Sequence, residues 1–182
     1  MGDFGKQADA AWETEELFAG NRDGLMRYLR RHLDDVSVAE DIAQESFIRF
    51  FQARSQGEEI DQPRAWLYRV AHNLLVDYSR KKRPDLLDED GWLRLEGAAS
   101  ASSHGIEARA AVATLPWYKL TNGEIQCLRL RSEGLKFREI GEVLGLSIST
   151  VTSYIARAIA KLQATDSGDR GAPEPGRTTA SR

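Results

Sequence analysis

The stretch 137–162, FREIGEVLGLSISTVTSYIARAIAKL, constrains the fold more than any other part of the sequence. Phe137, Ile140, Val143 and Leu144 recur at helical spacing and mark the buried side of a short helix over 137–144. Gly145 follows where a helix C-terminus needs a left-handed residue, and Leu146 can pin the turn into a core. Ser147 or Ser149 can then cap a further helix by accepting an orphan amide hydrogen bond. Val151, Ile155, Ala158, Ile159 and Leu162 give that helix, over 149–164, an apolar stripe. Gly141 and Ala158 are small enough for the two helices to cross closely. Helix, glycine turn and helix make a helix-turn-helix, a unit whose second helix can enter a DNA major groove.

Helical spacing also governs the first half of the chain, where nothing alternates as a strand does. Leu17, Phe18, Leu25, Tyr28, Leu29 and Leu33 predict a helix over 13–33, interrupted near Gly20 and Asn21. A second helix over 38–54 places Ile42, Ala43, Phe47, Phe50 and Phe51 on one side, with Asp41, Gln44, Glu45 and Arg49 largely on the other. A third begins after Pro63, which suits a first helical turn, runs to about Lys82 and is stopped by Pro84. Trp66, Leu67, Val70, Ala71, Leu74 and Tyr78 form its stripe. Short helices over 106–115 and 123–132 precede the helix-turn-helix. The expectation is an all-α protein of two small helical domains.

Between the two lies 84–104, which mixes acids with a Gly/Ala/Ser cluster and reads as a flexible acidic linker. Its Leu86, Leu87, Trp92, Leu93 and Leu95 are unusual for an inert tether and suit docking. The tail 164–182, rich in Gly, Pro, Ser and Thr, is expected to be disordered.

The formal net charge of −3 hides a strong unevenness. Residues 84–114 carry six acids and two bases, whereas 115–163 carry seven bases and four acids. Arg80, Lys81, Lys82 and Arg83 form a compact basic run at the end of the third helix. Local field, not net charge, decides where a phosphate backbone settles. The helix-turn-helix itself is only weakly basic: Arg157 and Lys161 lie on its second helix, Lys136 and Arg138 at the start of its first. Phosphate attraction dominates nucleic-acid affinity, so this unit alone is expected to bind weakly.

Other chemistries lack a residue set. His32, His72 and His104 are far apart without ligand-spaced companions, so no metal site is expected. The single cysteine, Cys127, excludes an internal disulfide and reads as a buried small hydrophobe. No Gly-rich phosphate loop and no acid–base pair appears, so no enzyme activity, cofactor or small-molecule substrate is expected. No window approaches about 18 consecutive apolar residues, so no membrane insertion is expected. The N-terminus lacks a secretory pattern, and Gln7 stands where a myristoylation signal takes Ser or Thr. The expected compartment is the cytoplasm.

Asp41, Gln44, Glu45 and Phe47, followed by Pro63, Trp66, Leu67, Ala71, Asn73, Asp77 and Arg80, resemble region 2 of the sigma-70 family. The helix-turn-helix resembles region 4 of the same family, and the order of the modules matches. Nothing corresponds to the longer regions of primary factors, so the resemblance is to the extracytoplasmic-function (ECF) group. It covers about 12–83 and 108–163, giving a region 2-like domain at 12–83 and a region 4-like domain at 105–163.

That resemblance implies partners and roles. Asp41, Gln44 and Glu45 would bind core RNA polymerase. Arg64, Tyr68, Arg69, Asn73, Asp77, Arg80, Lys81, Lys82 and Arg83 would meet the −10 element of promoter DNA, holding unpaired bases and their phosphates. Lys136, Arg138, Ser149, Thr150, Thr152, Ser153, Tyr154, Arg157 and Lys161 would meet the −35 element. An anti-sigma factor would be a further partner. Family members often carry bases where this chain has Thr152, Tyr154, Ala156 and Ile159, so a −35 element would here be read largely through hydroxyls and Tyr154. Two rivals remain at this stage: a conventional dimeric helix-turn-helix regulator, and a DNA-blind adaptor that occupies the polymerase.

Overall fold

A computed structural model describes residues 3–82 and 119–169. The described residues form six helices and no strand: α1 (Asp3–Arg30), α2 (Val36–Ser55), α3 (Pro63–Lys82), α4 (Asn122–Ser132), α5 (Phe137–Leu144) and α6 (Ile148–Asp169). The linker 84–104, the helix expected over 106–115, Arg83 and the tail from 170 lie outside the described residues.

Local signals account for most helix ends. Asp35 caps α2, its carboxylate accepting from the Ser37 amide at 2.9 Å. Thr121 caps α4 through a reciprocal capping box with Glu124, which satisfies two orphan donors at once. Gly145 adopts φ 67° and ψ 30° at the end of α5, as the glycine turn requires. The Leu146 amide then donates to the Gly141 carbonyl at 2.9 Å. Of the two serines that could cap the next helix, Ser147 does so, its Oγ accepting from the Thr150 amide at 3.1 Å.

Several helix limits differ from expectation, and α1 already begins at Asp3, well before the expected start at residue 13. Helix α1 passes unbroken through Gly20 and Asn21 and ends at Arg30, leaving the buried Leu33 just beyond it. Glycine costs a helix only about 1 kcal/mol, while Leu17, Leu25, Tyr28 and Leu29 on both sides are held in the core. Each such burial contributes roughly 1.5–3 kcal/mol, so packing overrides the local penalty. Asn21 also turns its side-chain amide back onto the Leu17 carbonyl at 2.9 Å. At the other end, α6 runs on to Asp169, past the expected limit near Ala164; no proline interrupts that stretch.

The two modules share a core. One buried cluster runs from Leu25, Tyr28, Phe50, Leu67 and Leu75 in α1–α3 to Leu130, Leu135, Ile140 and Val151 in the second module. A smaller cluster of Leu120, Ile125 and Ala158 joins α4 to α6. Helix α5 lies against α3, and this is the main contact between the modules. Cys127 is fully buried in the shared core, which pushes its thiol up to about 11.

Candidate functional site

The outward side of α2 exposes Asp41 and Gln44, with Glu45 half-buried and paired to Arg49 at 2.7 Å. Beside it, between α1 and α2, runs a groove of about 770 Å³ lined by Phe18, Met26, Phe47, Ile48 and Phe51 and edged by Glu40 and Gln44. Phe18 and Ile48 stay 44% and 42% exposed, too much for core residues. The Phe18 and Phe47 rings meet at 4.9 Å on its floor. An apolar trough with a mixed polar rim, Glu40 and Gln44 on one side and Arg22 on the other, suits an amphipathic partner helix. Phe51, which spacing places on the same side of α2 as Ala43 and Phe47, lines this groove with them and is half-buried.

Helix α3 divides the residues expected at the −10 element into two sets. Arg69, Asn73, Asp77 and Arg80 are all exposed, at helical spacing, and Lys81 and Lys82 extend the row. Asp77 pairs with Arg80 at 3.9 Å, and the Lys82 ammonium lies 5.8 Å from the Tyr78 ring. Trp66 is half-buried, its ring edge-on to Phe50 at 5.7 Å, as a core role requires. Arg64 and Tyr68 are turned away from solvent. The Arg64 guanidinium donates to the Glu133 carbonyl, and to that of Gly134 at 3.4 Å. Tyr68 is fully buried, which, with the Glu133 carboxylate nearby, pushes its hydroxyl up to about 12. In this arrangement Tyr68 does not face DNA: its ring is taken up by Tyr28 and Arg64.

The second module presents Ser149, Thr152 and Ser153 on the surface at the start of α6, with Thr150 half-buried behind them. These hydroxyls are partly engaged: Ser147 bonds Ser149 and Thr150 at 2.8 Å each, and Thr152 donates to the Ile148 carbonyl at 2.8 Å. Lys136 is exposed at the start of α5, and Arg138 pairs with Glu142 at 3.1 Å. The two bases of α6 converge on Glu124, whose side chain is 1% exposed. Lys161 reaches it at 2.7 Å and Arg157 at 3.8 Å. Burial pushes the Glu124 carboxyl up, but hydrogen bonds from Lys161 and Thr121 outweigh it and hold the pKa below the ordinary value. Arg157 also lies over Tyr154 at 5.0 Å, and the Tyr154 ring packs so closely on Gly123 that a Cβ there would come within 2.6 Å. Tyr154 and Lys161 are therefore engaged within the module, whereas Arg157 keeps its side chain 59% exposed beside the exposed hydroxyls Ser149, Thr152 and Ser153.

Three residues that periodicity did not single out form the other charged centre. Glu133, 1% exposed in its side chain, receives Arg27 of α1 at 2.9 Å and Arg31, in the turn just after α1, at 3.0 Å. Glu133 is the C-cap of α4. A carboxylate opposes the negative end of the helix dipole there, and that misfit is the one sequence signal pointing to cations from elsewhere.

A family model for sigma-70 region 2 matches residues 17–84, and one for bacterial regulatory proteins of the luxR family matches 118–169. The ECF RNA polymerase sigma factor SigW of Bacillus subtilis (strain 168) is 32% identical over 148 residues, covering 75% of this chain and 79% of SigW. The chain belongs to the ECF sigma factors. The ferric citrate uptake sigma factor FecI of Escherichia coli (strain K12) is 28% identical to this sigma factor, over 82% of the chain and 88% of FecI. Among solved structures, CnrH in complex with the cytosolic domain of CnrY superposes with a TM-score of 0.56 at 25% identity. That match covers 90% of this sigma factor and 96% of CnrH. The luxR-type match falls on α4–α6, the helices in which spacing and the Gly145 turn had marked a helix-turn-helix.

Proposed function

We propose that this ECF sigma factor docks on core RNA polymerase through α2 and opens promoter DNA with α3. The observation that carries the reading is the adjacency of two unlike surfaces on one rigid pair of helices. On α2, exposed Asp41 and Gln44 and half-buried Glu45 form a polar face, and Gln44 also lines the apolar groove; on α3, Arg69, Asn73, Asp77 and Arg80 form an exposed polar row ending in Lys81 and Lys82. A protein-binding face and a nucleic-acid face fixed to each other are what an initiation subunit needs. Opening would then be driven by binding energy: unpaired bases and their phosphates gain contacts with the α3 row that the duplex cannot offer. The hydroxyls Ser149, Thr150, Thr152 and Ser153 would read a −35 element, with Lys136 and Arg138 on phosphates.

The conventional regulator and the DNA-blind adaptor are both less well supported, because the family assignment spans both modules in order. A third partner is proposed, an anti-sigma factor; the relative CnrH is itself held by the cytosolic domain of another protein. Among the described residues no single helix is long and apolar enough to cross a membrane, and the site of action would be the cytoplasm, beside the polymerase. The test is to add the purified chain to sigma-free core polymerase with genomic DNA and to sequence transcript 5′ ends. Discrete starts sharing upstream motifs are expected. Binding to core without discrete starts would favour the adaptor, and no binding to core would refute the proposal.

A further inference from the structure

The exposed face of α6 lacks most of the side chains that select bases by paired hydrogen bonds. From Ile148 to Ala160 the helix carries one charged residue, Arg157, and no Asn, Gln or Lys. Arg or Lys holds guanine, and Asn or Gln holds adenine, through two hydrogen bonds at once, whereas Ser and Thr bond either base. Arg157 is itself drawn toward Glu124, 3.8 Å away. The hydroxyls are partly spent as well. Thr152 donates to the Ile148 carbonyl at 2.8 Å, and Ser149 and Thr150 each share a bond with Ser147 at 2.8 Å. What the start of this helix holds in excess is methyl groups.

Ile148 opens α6 at 53% exposure, although Val151 and Ile155 nearby are buried. Thr152 stands one turn on and Ala156 one turn further, both exposed, and Ile159 continues the row at 44%. Steps of four residues keep Ile148, Thr152 and Ala156 on one side of the helix. They span about 12 Å, the length of three to four base pairs. With the hydroxyl proton of Thr152 committed to the backbone, its methyl is the group left for a base. Ser149, Ser153 and Ala160 beside the row are small, so the α6 backbone can approach base edges closely; a long Arg or Lys in their places would hold it off. In a major groove, apolar groups of this kind find one matching feature, the 5-methyl of thymine.

We propose that this factor selects its −35 element by thymine methyl groups, with Ile148, Thr152 and Ala156 packed on them. The hydroxyls of Ser149, Thr150 and Ser153 add bonds there without choosing between bases. The inference rests on the sigma-factor reading and names the chemistry that its second module recognises.

The test uses holoenzyme assembled from the full chain and core polymerase, on the promoter fragment that gives the strongest start in transcript mapping. Thymines of its upstream element are replaced one at a time by deoxyuridine, which keeps every hydrogen-bonding edge and removes only the methyl. Each thymine under the row is expected to lose about three- to fivefold in holoenzyme affinity, the equivalent of one buried methyl. Uracil placed between the −35 and −10 elements is expected to change nothing. Thr152→Ser keeps a hydroxyl that can bond the Ile148 carbonyl and removes the methyl. It and Ile148→Ala are each expected to bring the thymine-to-uracil affinity ratio at one position close to one. Because that ratio compares two DNAs on the same protein, a variant that is merely less stable does not move it. Affinity indifferent to uracil throughout the upstream element overturns the methyl reading. A loss on uracil that neither variant erases overturns the assignment to Ile148 and Thr152, and weaker binding of Ile148→Ala to core polymerase without DNA places the row on the polymerase instead. Absence of any discrete start refutes the sigma-factor reading and this inference with it, whereas discrete starts that tolerate uracil overturn the inference alone.

Discussion

Replacing Gly141 by alanine tests the close crossing at the helix-turn-helix. In an exposed helix the change stabilises by about 0.5–1 kcal/mol, because alanine loses less backbone entropy on folding. At Gly141 the new Cβ would come 2.6 Å from the Leu146 carbonyl oxygen, a backbone atom that cannot swing aside. The Leu146 amide is bonded to the Gly141 carbonyl, so a shift of the turn also strains that bond. Overpacking of this kind costs roughly 1–3 kcal/mol, which exceeds the propensity gain and leaves a net loss of about 1–2 kcal/mol. For a chain of this size, about 2–4 °C per kcal/mol puts Tm roughly 2–8 °C lower. Gly20→Ala is the matched control: Gly20 lies in α1 with nothing within 4 Å of its added Cβ. The propensity gain stands alone there, and Tm is expected to rise by about 1–4 °C. Thermal unfolding of the three full-length chains by circular dichroism decides it. If Gly141→Ala melts at or above the parent temperature, the crossing is looser than described and the argument from the turn fails.

Glu124→Gln keeps a residue that can complete the α4 capping box but releases Arg157 and Lys161 from their shared charge. The slope of log affinity against log salt for holoenzyme on its promoter is expected to steepen by about 1–2; an unchanged slope would mean that neither base reaches phosphate. Neutralising Arg80, Lys81 and Lys82 together is expected to flatten that slope by about 2, as the loss of three single-strand phosphate contacts implies. Asp41→Lys, on the exposed side of α2, is expected to weaken core polymerase binding at least tenfold with little change in Tm, measured by fluorescence anisotropy and thermal melting; an unaltered affinity removes Asp41 from the interface. Folding lowers the carboxyl pKa of Glu13, through its hydrogen bonds with Arg54, and that of Glu124. The unfolded chain therefore takes up protons first on acidification. The stability these two contribute is complete above the ordinary value of 4.5 and drains as pH falls through the lower folded values. Denaturant titrations between pH 3 and pH 6, roughly the window that linkage marks out, are expected to show less loss in Glu13→Gln than in the parent chain.

What the sequence by itself determined is what depends on near neighbours. The apolar spacing of Ile42, Phe47 and Phe50, or of Leu67, Ala71 and Leu74, reports contacts between one helix turn and the next, and those helices stand where expected. Gly145 and the serine cap work within a few residues, and the motifs of α2 and α3 suffice to recognise the family. The residues expected on α3 were legible as a helix face, but which of them stay in solvent was not. Tyr68 looks like an outward aromatic on α3 until α1 and the second module close over it. Tertiary structure alone decided that Gly20 does not break α1, that Arg157 and Lys161 turn to Glu124, and that Glu133 meets Arg27 across 106 positions of chain. The physical reason is range. Periodicity and capping act over about one turn of helix, whereas an ion pair between modules needs only complementary charge at a place the packing chooses. No local pattern records that choice.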